Sequence, residues 1–324
     1  KKIRCLYGIG FSVFVLAALL GILTGSTVLP ISVVRKIVTG GIMDTPEGRI
    51  LLYVRLPRTI ASLVCWAALA VQRVLANRLA SPSIIGVNSG AGLAVTLCAA
   101  WGIYGGFRLS FFSFLGAFAT VMLVSLGARK WGASRGTVIL MGVAMNSLLN
   151  AVSDTIVTFQ PDVGVMSNDF KIGEFTAVTY QKLLPAAVII LVTVMVLLTL
   201  TNELDVLALG EESARGLGMN TALMRTLFLM LAALLAGCAV SLAGLLSFVG
   251  LIVPHAVRRV AGNRSGHLLG LCALFGGGFV CLCDTIARTA FSPYEIPVGI
   301  IMAFLGAPFF LFILIKGKGG HAGD

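Results

Sequence analysis

The chain reads as an all-α membrane protein with about ten transmembrane helices, and three observations lead there. Hydrophobic side chains make up 58% of its 324 residues, charged ones only 11%, and the mean hydropathy is +1.00. Soluble domains carry roughly 25% charged residues, so this chain has less than half of what a wetted surface requires. Apolar runs such as Pro185 to Leu200 recur from end to end, whereas a signal peptide gives one such run ahead of a polar mature domain. The runs are continuous rather than alternating, which selects helices over a β-barrel. A disordered chain, a soluble enzyme and a nucleic-acid-binding module are thereby excluded.

A crossing needs ~20 mostly apolar residues. On that rule spans fall at residues 5–25, 58–76, 84–104, 110–130, 137–158, 182–202, 223–243, 245–261, 267–289 and 296–315. An even number places both termini on one side. With that side as the cytoplasm, the 24 Lys and Arg divide fifteen inside to nine outside and the 13 acids five to eight, giving +10 inside and +1 outside. The net charge of +11 is then a topology signal under the positive-inside rule, and no nucleic-acid partner is needed to explain it.

The seven cysteines, Cys5, Cys65, Cys98, Cys238, Cys272, Cys281 and Cys283, lie in or beside apolar runs without metal-site or disulfide spacing. They read as small apolar packing residues. The many glycines, as in Gly86–Gly92 and Gly276–Gly278, sit in apolar helical context and read as sites of close helix packing. No HExxH or GxxxxGK[ST] motif occurs, and the one GxSxG string, Gly132-Ala-Ser-Arg-Gly136, lies between two apolar helical runs without the preceding strand of a nucleophile elbow, so no catalytic residue, metal site or nucleotide loop is assigned. ATP and Mg, if used, belong to separate partner chains. Of three histidines, His321 lies in a polar tail, and His255 and His267 fall at the two ends of an inner loop. Pro254-His255 therefore reads as structural.

Polar groups inside a membrane are costly and face a cavity or another helix. In the fifth span Asn146, Asn150, Asp154 and Thr158 follow one another at intervals of four, forming one polar stripe on a helical face. Two readings fit: hydrogen bonds between helices, or the lining of a water-filled substrate pathway. Amides with a single acid suit a large polar solute better than a tight ion filter.

Arg55-Leu-Pro-Arg58, Asn77-Arg-Leu-Ala-Ser-Pro82 and Gly86-Val-Asn-Ser-Gly-Ala91 resemble the FecCD-type permeases, membrane subunits of type II ABC importers for ferric siderophores, haem and cobalamin. The second half continues the resemblance in order. It carries Leu209-Gly-Glu-Glu-Ser-Ala-Arg-Gly-Leu-Gly218, Phe248-Val-Gly-Leu-Ile-Val-Pro-His255, Asp284-Thr-Ile-Ala-Arg288, Glu295-Ile-Pro-Val-Gly299 and Gly306-Ala-Pro-Phe-Phe310.

The resemblance implies one transmembrane permease domain over residues 1–324 in a bacterial plasma (inner) membrane. It implies a homodimer, two ATP-binding-cassette ATPase subunits on the inner side and a substrate-binding protein on the outer side. Within the polar loop 203–220, Glu211, Glu212, Ala214, Arg215 and Gly218 would form the coupling helix seated on the ATPase, stopped by Gly216 or Gly218. Arg55, Arg58 and Arg288 would be posts for acidic groups of the binding protein. Local chemistry offers plainer readings: a solvated loop, interfacial anchors, and an Arg288–Asp284 pair four residues apart.

The chain departs from the pattern in two places. Only 14 residues separate Arg58 from Arg73, about 21 Å of helix against ~30 Å of hydrocarbon. This stretch is about five residues short of the family pattern between Ala67 and Gln72, with Trp66 where glycine is usual and Arg78 where proline is usual; either the helix is truly short and re-phased by ~140° or residues are missing there. Phe170-Lys-Ile-Gly173 also stands where the family has a tryptophan before its Gly-containing turn after span five. Two rival functions are an ion-coupled secondary transporter of a polar solute, which needs buried acids at ion sites, and an intramembrane enzyme, which needs clustered acids or histidines.

Overall fold

The computed structural model describes residues 2–27, 45–78, 86–103, 106–130, 135–176, 178–246, 249–262 and 264–318. Leu79 to Pro82 of the second motif, Phe248 and His321 lie outside them. Backbone groups without water must bond within their own segment, and the apolar runs accordingly fold as helices. In order these are α1 (Lys2–Leu23), α2 (Pro46–Arg49), a π-helical turn (Ile50–Arg55), α3 (Leu56–Arg78), α4 (Val87–Ala100), α5 (Gly106–Lys130), α6 (Arg135–Phe159) and α7 (Asp162–Ile172). They continue as α8 (Tyr180–Thr199), α9 (Thr201–Leu207), α10 (Glu211–Gly216), α11 (Thr221–Ala243), α12 (Val249–Ala261), α13 (Ser265–Thr289) and α14 (Val298–Lys318).

The side of the bundle richer in Lys and Arg is called inner. It carries the start of α1, the α9–α10 segment and the α12–α13 turn, tied by a Tyr7–His267 ring contact and by Asp205 accepting from the Ser265 backbone N–H. The opposite, outer side carries α2, the π-helical turn, α7 and the α13–α14 connection.

Among the described residues six helical stretches are long and apolar enough to cross a membrane, and α4, the middle of α5 and the start of α14 supply shorter apolar helices. A helix stands at each of the ten expected positions, but these six are the ones with crossing length and hydropathy among the described residues; α12, for instance, has 13 residues. The core is built on α3 and α11, which pack on each other. Around them α13 packs on α1 and α3, and α5 on α4 and α11. Burial follows this order: 72% of the apolar window that includes α3 is buried, against 11% of α6 and 17% of α1.

The second span belongs to a longer apolar stretch than its arginines suggest. The apolar stretch able to cross runs from Pro46 to Gln72, 27 residues, and α3 continues unbroken through Ala67–Gln72. Arg55 and Arg58 made it look short because a charge usually marks the membrane edge. Here both are buried, 3% and 4% exposed, so the crossing begins upstream of them.

Trp66, fully buried, occupies the space that glycines leave on α13. A Cβ placed on Gly276 would lie 0.8 Å from the Trp66 indole nitrogen, so the bulky residue on α3 and the bare backbone on α13 are matched. Backbone contact of the same kind joins α4 to α5, where a Cβ on Gly116 would lie 2.3 Å from the Gly90 carbonyl. Gly276→Ala is expected to destabilise the fold by about 3 kcal/mol, the upper part of the overpacking range, read as a lower Tm in detergent. In a Trp66→Ala background the same change should cost far less; equal costs in both backgrounds would show that the indole does not fill this site.

Candidate functional site

Three groups of side chains stand out: a buried charge cluster at the outer side, a polar stripe on α6, and an exposed helical knob at the inner side.

The charge cluster starts from a helix end. A helix leaves its last four carbonyls without intrahelical donors. In α1, Leu20 O accepts from the Thr24 backbone N–H and hydroxyl, and Gly21 O from Arg288 Nη2 at 3.2 Å. Ile22 O and Leu23 O accept from Arg55 Nη1 at 3.2 and 2.8 Å. Arg55 also donates to the Thr27 carbonyl and hydroxyl. Two guanidinium groups thus cap α1, where a cation also suits the helix dipole.

Arg58 sits beside them with its two edges differently held. Nε and Nη2 donate to the Asp284 carboxylate at 3.0–3.2 Å, and Nη1 donates to Glu295 Oε2 at 2.7 Å. Arg288 Nε lies 3.2 Å from Asp284 Oδ2. Asp284 is 0% exposed and Glu295 is 30% exposed at the side chain. Burial by itself would push the Glu295 carboxyl up, but the Arg58 hydrogen bond and charge, with Ser26 and Arg288, bring it below the ordinary carboxylate value. A depressed folded pKa means that the contribution of this pair is present above the unfolded carboxylate range and is lost only as pH falls through the folded value.

The three arginines that the resemblance offers as outward posts are therefore all engaged inside the chain. The Arg288–Asp284 pairing expected from the four-residue spacing is present. Arg55 and Arg288 cap α1, and Arg58 is the member whose second partner lies near the surface.

Just beside the cluster, backbone joins backbone. Ile296 N–H donates to Ala287 O at 3.0 Å and Gly299 N–H to Gly173 O at 3.0 Å. Leu245 N–H donates to Phe170 O at 2.7 Å and Glu174 N–H to Ala243 O at 2.9 Å. A Cβ on Gly299 would lie 1.7 Å from Ile172 O, so only glycine lets the start of α14 reach the end of α7. The Phe170–Gly173 departure thus lies at a junction of three helix ends, a role that the sequence alone did not assign.

On α6, Asn146 is half-buried and Asn150, Asp154 and Thr158 are exposed. No side-chain hydrogen bond joins Asn146 or Asn150 to another described residue. Asp154 pairs with Lys171 of α7, and Thr158 Oγ1 donates back to the Asp154 carbonyl at 2.8 Å. Apolar neighbours on the helix, Leu140, Val143 and Leu148, are exposed as well.

At the inner side α10 is short because Gly218 stops it. Gly218 has φ +82°; its N–H donates to Arg215 O at 2.9 Å and the Met219 N–H to Ala214 O at 3.1 Å, the paired bonds of a Schellman motif. Ala214 is fully buried and Arg215 Nε donates to Thr221 Oγ1 at 3.1 Å, seating α10 on α11. Glu212 and Arg215 face outward. Leu209, Leu217 and Leu223, 60–67% exposed, flank them. Sequence reasoning missed these leucines, since Leu209 and Leu217 are isolated in a polar loop and give no periodic signal, and Leu223 falls at the start of an apolar span.

A model of the FecCD transport family matches residues 13–316. The chain belongs to that family. Curated relatives include an uncharacterised ABC transporter permease protein, YvrB, of Bacillus subtilis, 33% identical over 98% of this chain and 95% of the relative. The Fe(3+)-citrate import system permease protein YfmD of the same organism is 34% identical over 84% of this chain and 83% of its own. The vitamin B12 import system permease protein BtuC of Yersinia pseudotuberculosis is 32% identical over 84% of both. Among solved structures, an inward-facing conformation of a putative metal-chelate type ABC transporter matches with a TM-score of 0.82 at 29% identity, covering 97% of this chain and 99% of that one. This FecCD chain is a permease subunit of an ABC importer.

Proposed function

We propose that the FecCD chain works as one of two facing permease copies that move a metal chelate inward by alternating access, with ATP hydrolysed by two separate ATPase subunits. The observation that carries this reading is the exposed stripe on α6. In a chain with 11% charged residues, amides and a carboxylate left facing outward along a helix are unstable against lipid. A second copy placed against α6 would turn the two stripes towards one polar passage, with all ten helices crossing and both termini on the inner side.

The α10 knob suits docking of an ATPase on the inner side. Three exposed leucines around a short, capped helix form the apolar anchor, ringed by charge, that protein partners recognise. On the outer side, Arg58 is the post for the binding protein. The ion-coupled alternative is less well supported, because the one acid on the stripe is already paired with Lys171.

Ferric siderophores are the first substrate class, with ferric citrate, cobalamin and haem behind them. The functions that two relatives are named for, Fe(3+)-citrate and vitamin B12 import, support a bulky polar metal complex. Uptake of radiolabelled ferric citrate, a ferric hydroxamate, cobalamin and haem into proteoliposomes holding the complete importer should show ATP-dependent accumulation of one of them. Uptake of none of the four would remove the metal-chelate reading.

A further inference from the structure

Arg58 is 4% exposed, so no partner reaches it while the cluster stands as described. Its two edges differ. One is clasped by Asp284, which is wholly buried and fixed on α13. The other is a single hydrogen bond to Glu295, which lies in the non-helical connection before α14 and is partly open to solvent. A charge-assisted bond with a partner near the surface exchanges more readily than one locked in a helix interior.

We propose that Glu295 is a replaceable ligand of Arg58: a carboxylate presented by a protein partner at the outer face takes the Nη1 position that Glu295 now holds. This rests on the reading of Arg58 as an outer docking post. Anion replaces anion, so the three guanidinium groups and Asp284 keep their charge balance through the exchange. Bidentate Asp284 holds the guanidinium plane in place while the Nη1 edge changes hands.

The displaced loop is tied to the transport path. Glu295 is followed by Ile296, bonded to Ala287, and by Gly299, bonded to Gly173. Gly173 closes the segment that carries Lys171, the partner of Asp154 on the α6 stripe. Withdrawal of Glu295 therefore pulls on the backbone hydrogen bond from Gly299 to Gly173 that joins the start of α14 to the end of α7. Docking outside and the outer end of the passage share a mechanical connection.

The test uses the reconstituted permease in phosphatidylcholine vesicles, whose zwitterionic lipid offers no net anionic headgroup. Phenylglyoxal, which modifies accessible guanidinium groups, is applied from outside and the Arg58 peptide is quantified by mass spectrometry against the exposed Arg108. In the wild type Arg58 should be protected. In Glu295→Gln, with thermal stability checked alongside, labelling should rise about tenfold, as expected for loss of one charge-assisted bond. Unchanged labelling in Glu295→Gln would overturn the proposal.

Association of the importer's own binding protein is measured in parallel. Tighter binding to Glu295→Gln, with steeper salt dependence, is the expected result. Weaker binding would mean that Glu295 serves the interface directly and would also overturn the exchange. Raised labelling with binding insensitive to both Glu295→Gln and Arg58→Gln would leave Glu295 as the cover of Arg58 and remove the docking reading instead. Loss of the extra Glu295→Gln labelling when the permease is reconstituted with anionic phosphatidylglycerol in place of part of the phosphatidylcholine would assign the exchange to lipid and contradict the protein partner.

Discussion

Asp284→Asn is expected to destabilise this permease by about 3–5 kcal/mol, the cost of breaking a buried ion pair and leaving its partner charged. Asp284 is the buried carboxylate between Arg58 and Arg288. Its removal leaves three guanidinium groups, including Arg55, facing Glu295 alone across the outer ends of α1, α3 and α13. Because Arg55 and Arg288 also satisfy the last carbonyls of α1, repulsion that moves them would uncap that helix too. The expected readout is a sharply lower Tm in detergent and loss of folded protein on size-exclusion chromatography. Arg55→Met should be milder, since it removes hydrogen bonds and one cation without stranding a carboxylate. A Tm for Asp284→Asn within a degree or two of wild type would mean that the cluster is open to water and that the outer helix ends are held by packing alone.

The second large effect is expected at the inner knob. Leu217→Asp places a charge in an exposed apolar anchor and should cut ATP-driven uptake at least ~10-fold, through weakened ATPase association of ~1–2 kcal/mol or more. Its Tm should stay near that of wild type, because the Leu217 side chain is 67% exposed. A bulky residue at Ala214 or Gly218 acts by a different route. Ala214 is the buried contact that seats α10, and Gly218 holds a left-handed φ of +82° that a β-branched residue adopts at a cost of roughly 1–2 kcal/mol. Either change unseats α10 rather than altering its outer surface, so ATP hydrolysis and uptake should separate. Normal coupled uptake in Leu217→Asp and Gly218→Val together would remove α10 as the coupling element.

How much of this was legible in the sequence depends on the distance over which each partner acts. Helix positions follow from local apolar runs, and the α10 stop follows from a glycine a few residues away. The polar stripe on α6 is legible because helical spacing alone sets its face. The fate of the arginines is not: Arg58 and Asp284 are 226 residues apart, and no local pattern separates an arginine that anchors at a membrane edge from one neutralised inside the bundle. The second span looked short for the same reason. Trp66 looked anomalous against the family pattern because its compensating Gly276 is on another helix. Phe170-Lys-Ile-Gly173 stood out as a departure but its role did not, since the contacts that matter are made across helices by Lys171 or through the backbone carbonyl of Phe170.

The central claim is that this chain supplies a path and a coupling surface while a separate chain supplies the energy. The most direct measurement is substrate uptake into proteoliposomes containing the permease with its ATPase subunits and binding protein, with ATP inside or outside as needed, compared with the permease alone under an imposed proton or sodium gradient. The account predicts ATP-dependent accumulation in the complete system, abolished by a hydrolysis-deficient ATPase subunit, and none by the permease alone. Gradient-driven accumulation by the permease alone, unaffected by ATP, would contradict it.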